Sequence, residues 1–324
     1  MLDRLPNVLI VCLLIFLSVW VFVFQSSYSV MMDTENMRLV KDGAGAGRDL
    51  YVPQKPKRVV ILSASSFDLW VNLGGAESIV GVSRFKNADP SLYEKLNSET
   101  VVFGAYAYKS PEIVMHLRPD LVIMNGYDAA QDFMGEFLRR ENIPLLTMPG
   151  RTVEDTYREI ELFGELIGTG EKAAAEIARL KKNIAANSAK YDLAQKKKAL
   201  LVFGTSESFS MFTPYTRQGN MLELSGGENI IERSLRFLDV KYLPLSLEYA
   251  SWKNPDRVFF INHGNQSAIA RKIKEALAEN SAWYTIKAVQ AGRVDVLPEE
   301  YFIVNPGLKT DYAINKISKI LYGE

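Results

Sequence analysis

The chain has 324 residues, enough for one large or two ordinary domains. Hydrophobic residues make up 48% and charged residues 23%, a balance that excludes a disordered chain. Lys and Arg number 38 and so do Asp and Glu, so no excess of positive charge points to a nucleic acid partner. The one cysteine, Cys12, leaves no disulfide and no thiolate metal site. His116 and His263 are too few for a histidine-rich zinc centre, and no metal ligands are assigned.

Residues 1–29 form an export segment. Arg4 precedes an apolar run over 8–24 that only Ser18 interrupts. Its length lies between a signal peptide and a membrane anchor, and retention as an anchor is the preferred expectation. Arg4 before the run, with Asp33 and Glu35 after it, orients the remainder outward. Residues 30–57 read as a flexible tether, because Gly43, Gly45 and Gly47 alternate with small residues and Pro53 and Pro56 follow. A dinucleotide-binding loop would follow a strand; these glycines precede the first one.

Residues 58–170 read as an α/β lobe. Strands are expected over 58–62, 78–82, 121–124 and 143–147, from β-branched and apolar runs. Helices are expected over 67–73, capped by Ser65 or Ser66, then over 111–117 and 131–141. Such alternation predicts a largely parallel sheet covered on both faces. Residues 152–191 are helical apart from Gly168-Thr169-Gly170, and Thr152 with Asp155 forms a capping box. The second part, 171–191, is about 30 Å of helix and reads as a bar between lobes.

Residues 192–324 repeat the pattern. Strands are expected over 199–203, 257–262 and 293–297, and helices over 219–224, 247–252, 268–279 and 310–321. The phrases SPEIVMHLRPDLVIM and SLEYASWKNPDRVFFIN share the order helix, x-Pro-Asp, apolar strand. They mark equivalent positions in two lobes. The expected fold is therefore α/β, with two Rossmann-like lobes bridged by one long α-helix and preceded by a hydrophobic segment.

These stretches, with PKRVVILS, LGGAESIVGVS, FGELIGTGEKAA, MLELSGGENII and AWYTIKAVQAGRVDVLP, resemble the class III periplasmic solute-binding proteins of ABC importers for iron-siderophore, haem and cobalamin. The resemblance covers about residues 56–323. It implies a non-enzymatic, monomeric binder in the periplasm or on the outer face of the cytoplasmic membrane. Such a binder carries a small-molecule metal chelate, most readily a ferric siderophore, to an ABC permease and its ATPase. It also implies that Glu112 and Glu248, one on each lobe, meet arginines of the permease; on spacing alone both are ordinary acids at helix N-termini.

In open α/β sheets, ligands sit beyond the carboxyl ends of the strands. The loops there supply Ser65, Arg84, Tyr106, Tyr108, Tyr127, Tyr215, Arg217, His263 and Tyr301 as candidate ligand-binding residues. Aromatic rings with a few cations suit a greasy anionic chelate. Haem or a corrinoid fits the same cleft, and a membrane-tethered sensor or scaffold fits the same fold. A hydrolase is the rival of another class, on the order Ser206, Asp256, His263, but Ser208 stands where a nucleophile elbow has its final Gly. No catalytic residue is assigned.

Overall fold

The computed structural model describes residues 36–42, 49–104, 110–125, 129–148, 150–191, 195–233, 240–279 and 281–323. The apolar stretch 8–24 lies outside them. Among the described residues, no helix is long and apolar enough to cross a membrane.

The tether reading is corrected over Met37–Lys41 and Asp49–Pro53. Strands β1 (Met37–Lys41) and β2 (Asp49–Pro53) pair as an antiparallel ribbon. Val40 and Val52 turn inward and join the main core, which is what pins the ribbon to the first lobe. Arg38 pairs with Glu165 at 2.7 Å, and the buried Asp42 carboxylate accepts the Thr147 N–H at 3.0 Å.

The first lobe is a five-stranded parallel sheet. Its strands are β3 (Val59–Ile61), β4 (Ile79–Ser83), β5 (Val101–Phe103), β6 (Leu121–Asn125) and β7 (Leu145–Met148), in the order β5-β4-β3-β6-β7. Helices α1 (Ala64–Leu73), α2 (Pro111–His116) and α3 (Ala129–Arg140) cross between strands. Both sheet faces are buried with period two. Val59, Ile61, Leu121 and Ile123 point into one cluster, and Val60, Val122 and Met124 into another. This is why the strands read as unbroken apolar runs. The cap of α1 is Ser63, not Ser65 or Ser66, so the helix starts at Ala64.

Helices α4 (Val153–Ile167) and α5 (Gly170–Ser188) follow. The capping box forms, with Thr152 Oγ1 accepting from Asp155 N and Asp155 accepting from Thr152 N. Gly168 ends α4 in the left-handed region at φ 86°. A Cβ at Gly164 would lie 2.3 Å from Ala173 Cβ, so only glycine lets α4 and α5 touch.

The second lobe holds β8 (Lys197–Gly204), β9 (Phe209–Phe212), β10 (Gly227–Asn229), β11 (Tyr242–Pro244), β12 (Arg257–Asn262) and β13 (Val294–Leu297). Their order is β11-β9-β8-β12-β13, with β10 paired to β8. β8, β12 and β13 run parallel, while β9 and β11 are antiparallel at one edge. Helices α6 (Arg217–Leu224), α7 (Leu247–Lys253), α8 (Gln266–Glu279) and α9 (Thr310–Tyr322) complete it.

The two x-Pro-Asp phrases do the same job in each lobe. Asp120 accepts the N–H groups of Lys57 and Arg58 at 2.8 and 3.0 Å, at the start of β3. Asp256 accepts the Lys198 N–H at 2.8 Å, at the start of β8. Arg118 and Asn254, two residues earlier in each phrase, share a left-handed φ of 47°.

Candidate functional site

The seam between the lobes carries two cavities, and Asn305 lines both. The smaller, of about 130 Å³, lies beyond the carboxyl ends of β6 and β7 on the first lobe. Asn125, Met148, Gly150 and Arg151 line it there, while the second lobe supplies Tyr215, Arg217, Lys241 and Tyr242. Arg217 opens α6, held there by Thr216 as N-cap. Its guanidinium lies against Gly150 of the opposite lobe, where a Cβ would come 2.2 Å from Nη2. Gly150 also adopts φ +50°, so the backbone favours glycine there, whereas the end of the flexible Arg217 side chain can move aside for a Cβ.

Three cations thus converge on one small cavity. Burial, together with the positive charges of Arg151 and Arg217, pushes the Lys241 ammonium down to about 8. A like-charged cluster of this kind attracts an anion. Beside it stands an aromatic wall. Tyr242 stacks on Phe203 with centroids 4.9 Å apart and tilts against Phe212 at 5.2 Å. Tyr215 is set by its hydroxyl, which donates to the Arg233 carbonyl.

The larger cavity, of about 360 Å³, lies where α1 and the segment after β4 meet residues 300–309. Ser65 and Tyr301 line it. Its charges are mixed: Lys86 and Lys309 face Asp68, Asp89 and Glu300. Burial pushes the Asp68 carboxyl up, against the opposing pull of Lys309.

Among the sequence candidates, Tyr215 and Arg217 meet in the cationic cavity, and Ser65 and Tyr301 in the mixed one. Arg84 lines neither; it sits over the Tyr93 ring at 5.2 Å. His263 also lines neither. Its exposed ring pairs through Nδ1 with Glu299 at 2.9 Å, at the end of β12. Tyr106, Tyr108 and Tyr127 lie outside the described residues. Glu112 and Glu248 are exposed in the first turns of α2 and α7. The hydrolase reading fails on geometry. Asp256 and His263 flank the six-residue β12, about 23 Å apart at strand rise, and their carboxylate and ring have other partners.

Sequence reasoning missed Arg151, Lys241, Tyr242 and Asn305. Arg151 follows the carboxyl end of β7 and could have been found by the loop rule. Lys241 and Tyr242 could not, because they come from an antiparallel edge strand.

Residues 59–301 match the family described as "Periplasmic binding protein". The petrobactin-binding protein YclQ of Bacillus subtilis is 24% identical over 289 residues, covering 87% of each chain. The high-affinity heme uptake system protein IsdE of Staphylococcus aureus is 23% identical over 216 residues, covering 65% of this chain and 70% of its own. A solved ABC transporter substrate-binding protein from Listeria monocytogenes superposes with a TM-score of 0.71 at 21% identity, over 83% of this chain and all of that one.

Proposed function

The chain belongs to the periplasmic binding protein family, and from that premise we propose that it binds an anionic ferric siderophore between its lobes. It is an extracytoplasmic, non-enzymatic substrate-binding protein of an ABC importer for siderophore or haem. The observation that carries the siderophore reading is the convergence of Arg151, Arg217 and Lys241 on one cavity beside Tyr215 and Tyr242. A ferric chelate of catecholate or carboxylate type offers several negative oxygens for the cations and flat apolar parts for the rings. Haem is the second reading, because its two propionates would meet the same cations. Cobalamin carries amides on its corrin ring and a single phosphodiester anion, a poorer match to three cations, which argues against it.

A tryptophan-fluorescence titration of the purified chain against a ferric catecholate, ferric citrate, haemin and cyanocobalamin separates these. Tight binding of an anionic ferric chelate, weakened at least tenfold in Arg217→Ala, is expected. Preference for cyanocobalamin, or equal affinity for all four, would sink the proposal.

Delivery is read from Glu112 and Glu248. Each is an exposed acid at the start of a helix that precedes an x-Pro-Asp phrase, so the two lie in equivalent places on the two lobes. Exposed carboxylates of this kind suit a basic permease surface. Reversing both charges is expected to abolish uptake while ligand affinity stays unchanged; retained uptake would count against the docking role. The apolar stretch 8–24 would hold the chain at the outer membrane face.

A further inference from the structure

We propose that Glu159 is the clasp of the lobe seam, tying the first lobe to the second through its own carboxyl group, and that its proton sets how closely the lobes sit. Glu159 lies on α4, seven residues or about 10 Å below the capping box at Thr152. It is 2% exposed. Its Oε1 accepts from Ser66 Oγ of α1 at 2.8 Å. Its Oε2 accepts from Asn305 Nδ2 of the second lobe at 3.2 Å. Asn305 is held in turn by Thr156 Oγ1 at 3.2 Å and by the Gly307 N–H at 3.1 Å. The buried carboxyl group therefore joins both lobes behind the cleft, and it holds Asn305, which among the described residues is the one that lines both cavities.

The charged groups facing it are Arg217 from α6 and Asp155 one turn earlier on α4; α1 and the 303–307 segment present Ser66 and Asn305, which are neutral. Burial pushes the carboxyl up to about 6, against an ordinary 4.5, and outweighs the Ser66 hydroxyl, Arg217 and the Asn305 amide, which all favour the ionised acid. The sign of the coupling follows. A seam that raises the acid's affinity for a proton is itself stabilised by that proton. Neutral Glu159 keeps the lobes together; ionised Glu159 gains by hydration when they part.

Double electron–electron resonance between spin labels on the two lobes tests this. The full chain in detergent carries Cys12→Ser with Glu94→Cys and Lys274→Cys, both exposed positions. No chelate is added. In the parent, the mean interlobe distance is expected to lengthen and broaden between about pH 5 and about pH 7.5, on either side of the titration. Glu159→Gln, neutral at both, is expected to hold the short acid distance throughout. Asn305→Ala, which removes the second-lobe partner and keeps the acid, is expected to lengthen the distance at pH 5 while leaving the pH response. A parent that shows one distance at both pH values, or a Glu159→Gln chain that responds as the parent does, overturns the proposal. An unchanged distance in Asn305→Ala overturns the tie even if Glu159→Gln does not fold. The inference rests on the seam being the ligand cleft only for its consequence in binding. Failure of every chelate in the panel to bind would leave the distance result standing.

Discussion

Burial and the neighbouring guanidiniums of Arg151 and Arg217 hold the Lys241 ammonium at about 8, below the 10.5 of a free lysine. The folded chain thus carries its charged form at a cost. That cost is full below about pH 8 and is relieved as pH rises toward 10.5. Lys241→Gln removes it, so the ligand-free variant is expected to melt at a higher temperature than the parent near neutral pH. Binding should move the other way. An anionic chelate adds negative charge beside the lysine, and its affinity for the parent is expected to fall as pH rises through about 8. The variant should bind more weakly at neutral pH and lack that fall. Thermal melts and fluorescence titrations across this range check both; parent-like affinity and pH profile in Lys241→Gln would remove Lys241 from the site. At this scale the sequence is legible only where a residue's loop is. Tyr215 and Arg217 were found because they lie in the loop after an apolar strand. Glu159 left one faint trace: at three- and four-residue spacing it shares the inward stripe of α4 with Thr156, Ile160 and Phe163, where an acid is out of place.

Elements were legible in proportion to their length and amphipathic contrast. The strands around 58–62, 121–124, 199–203 and 257–262 are apolar on both faces and stood out as runs. The three-residue β5, β10 and β11 are too short to display a period, and the β1–β2 ribbon hid behind its glycines. The x-Pro-Asp phrases were visible, though not their work: each aspartate replaces a missing strand partner for backbone N–H groups at the start of the lobe's central strand. Removing a half-buried acceptor of this kind costs about 1–2 kcal/mol. Asp120→Ala and Asp256→Ala are each expected to lower the unfolding free energy by about that much in a urea titration. The two phrases lie in different lobes and share no partner, so the double variant should lose about the sum. A neutral effect of either would mean that water replaces the carboxylate there.

Between these elements the whole molecule is held by α5. Its 19 residues span about 28 Å. It packs on α4 of the first lobe through the Gly164–Ala173 contact. It is tied to α9 of the second by Arg179 and Asn183 to Asp311, at 2.8 and 2.6 Å, and by Asn187 to Ser318 at 2.7 Å. One apolar cluster runs through Trp70 and Phe163 of the first lobe, Leu180 and Ile184 of α5, and Phe259, Ile314 and Ile317 of the second. A wide hinge motion would have to break that cluster, and close-packed interiors shift between discrete arrangements rather than stretch. Closure on a ligand is therefore limited to the seam around Glu159, Asn305 and the two cavities. Small-angle scattering of the chain with and without a saturating ferric chelate is expected to give pair-distance distributions with the same maximum dimension. The change should be confined to the interlobe peak. Asn187→Ala with Asp311→Ala, which cuts the α5–α9 ties without entering either cavity, should widen the ligand-free distribution and increase the change on binding. A large contraction of the parent on binding would show that α5 acts as a hinge and not as a strut.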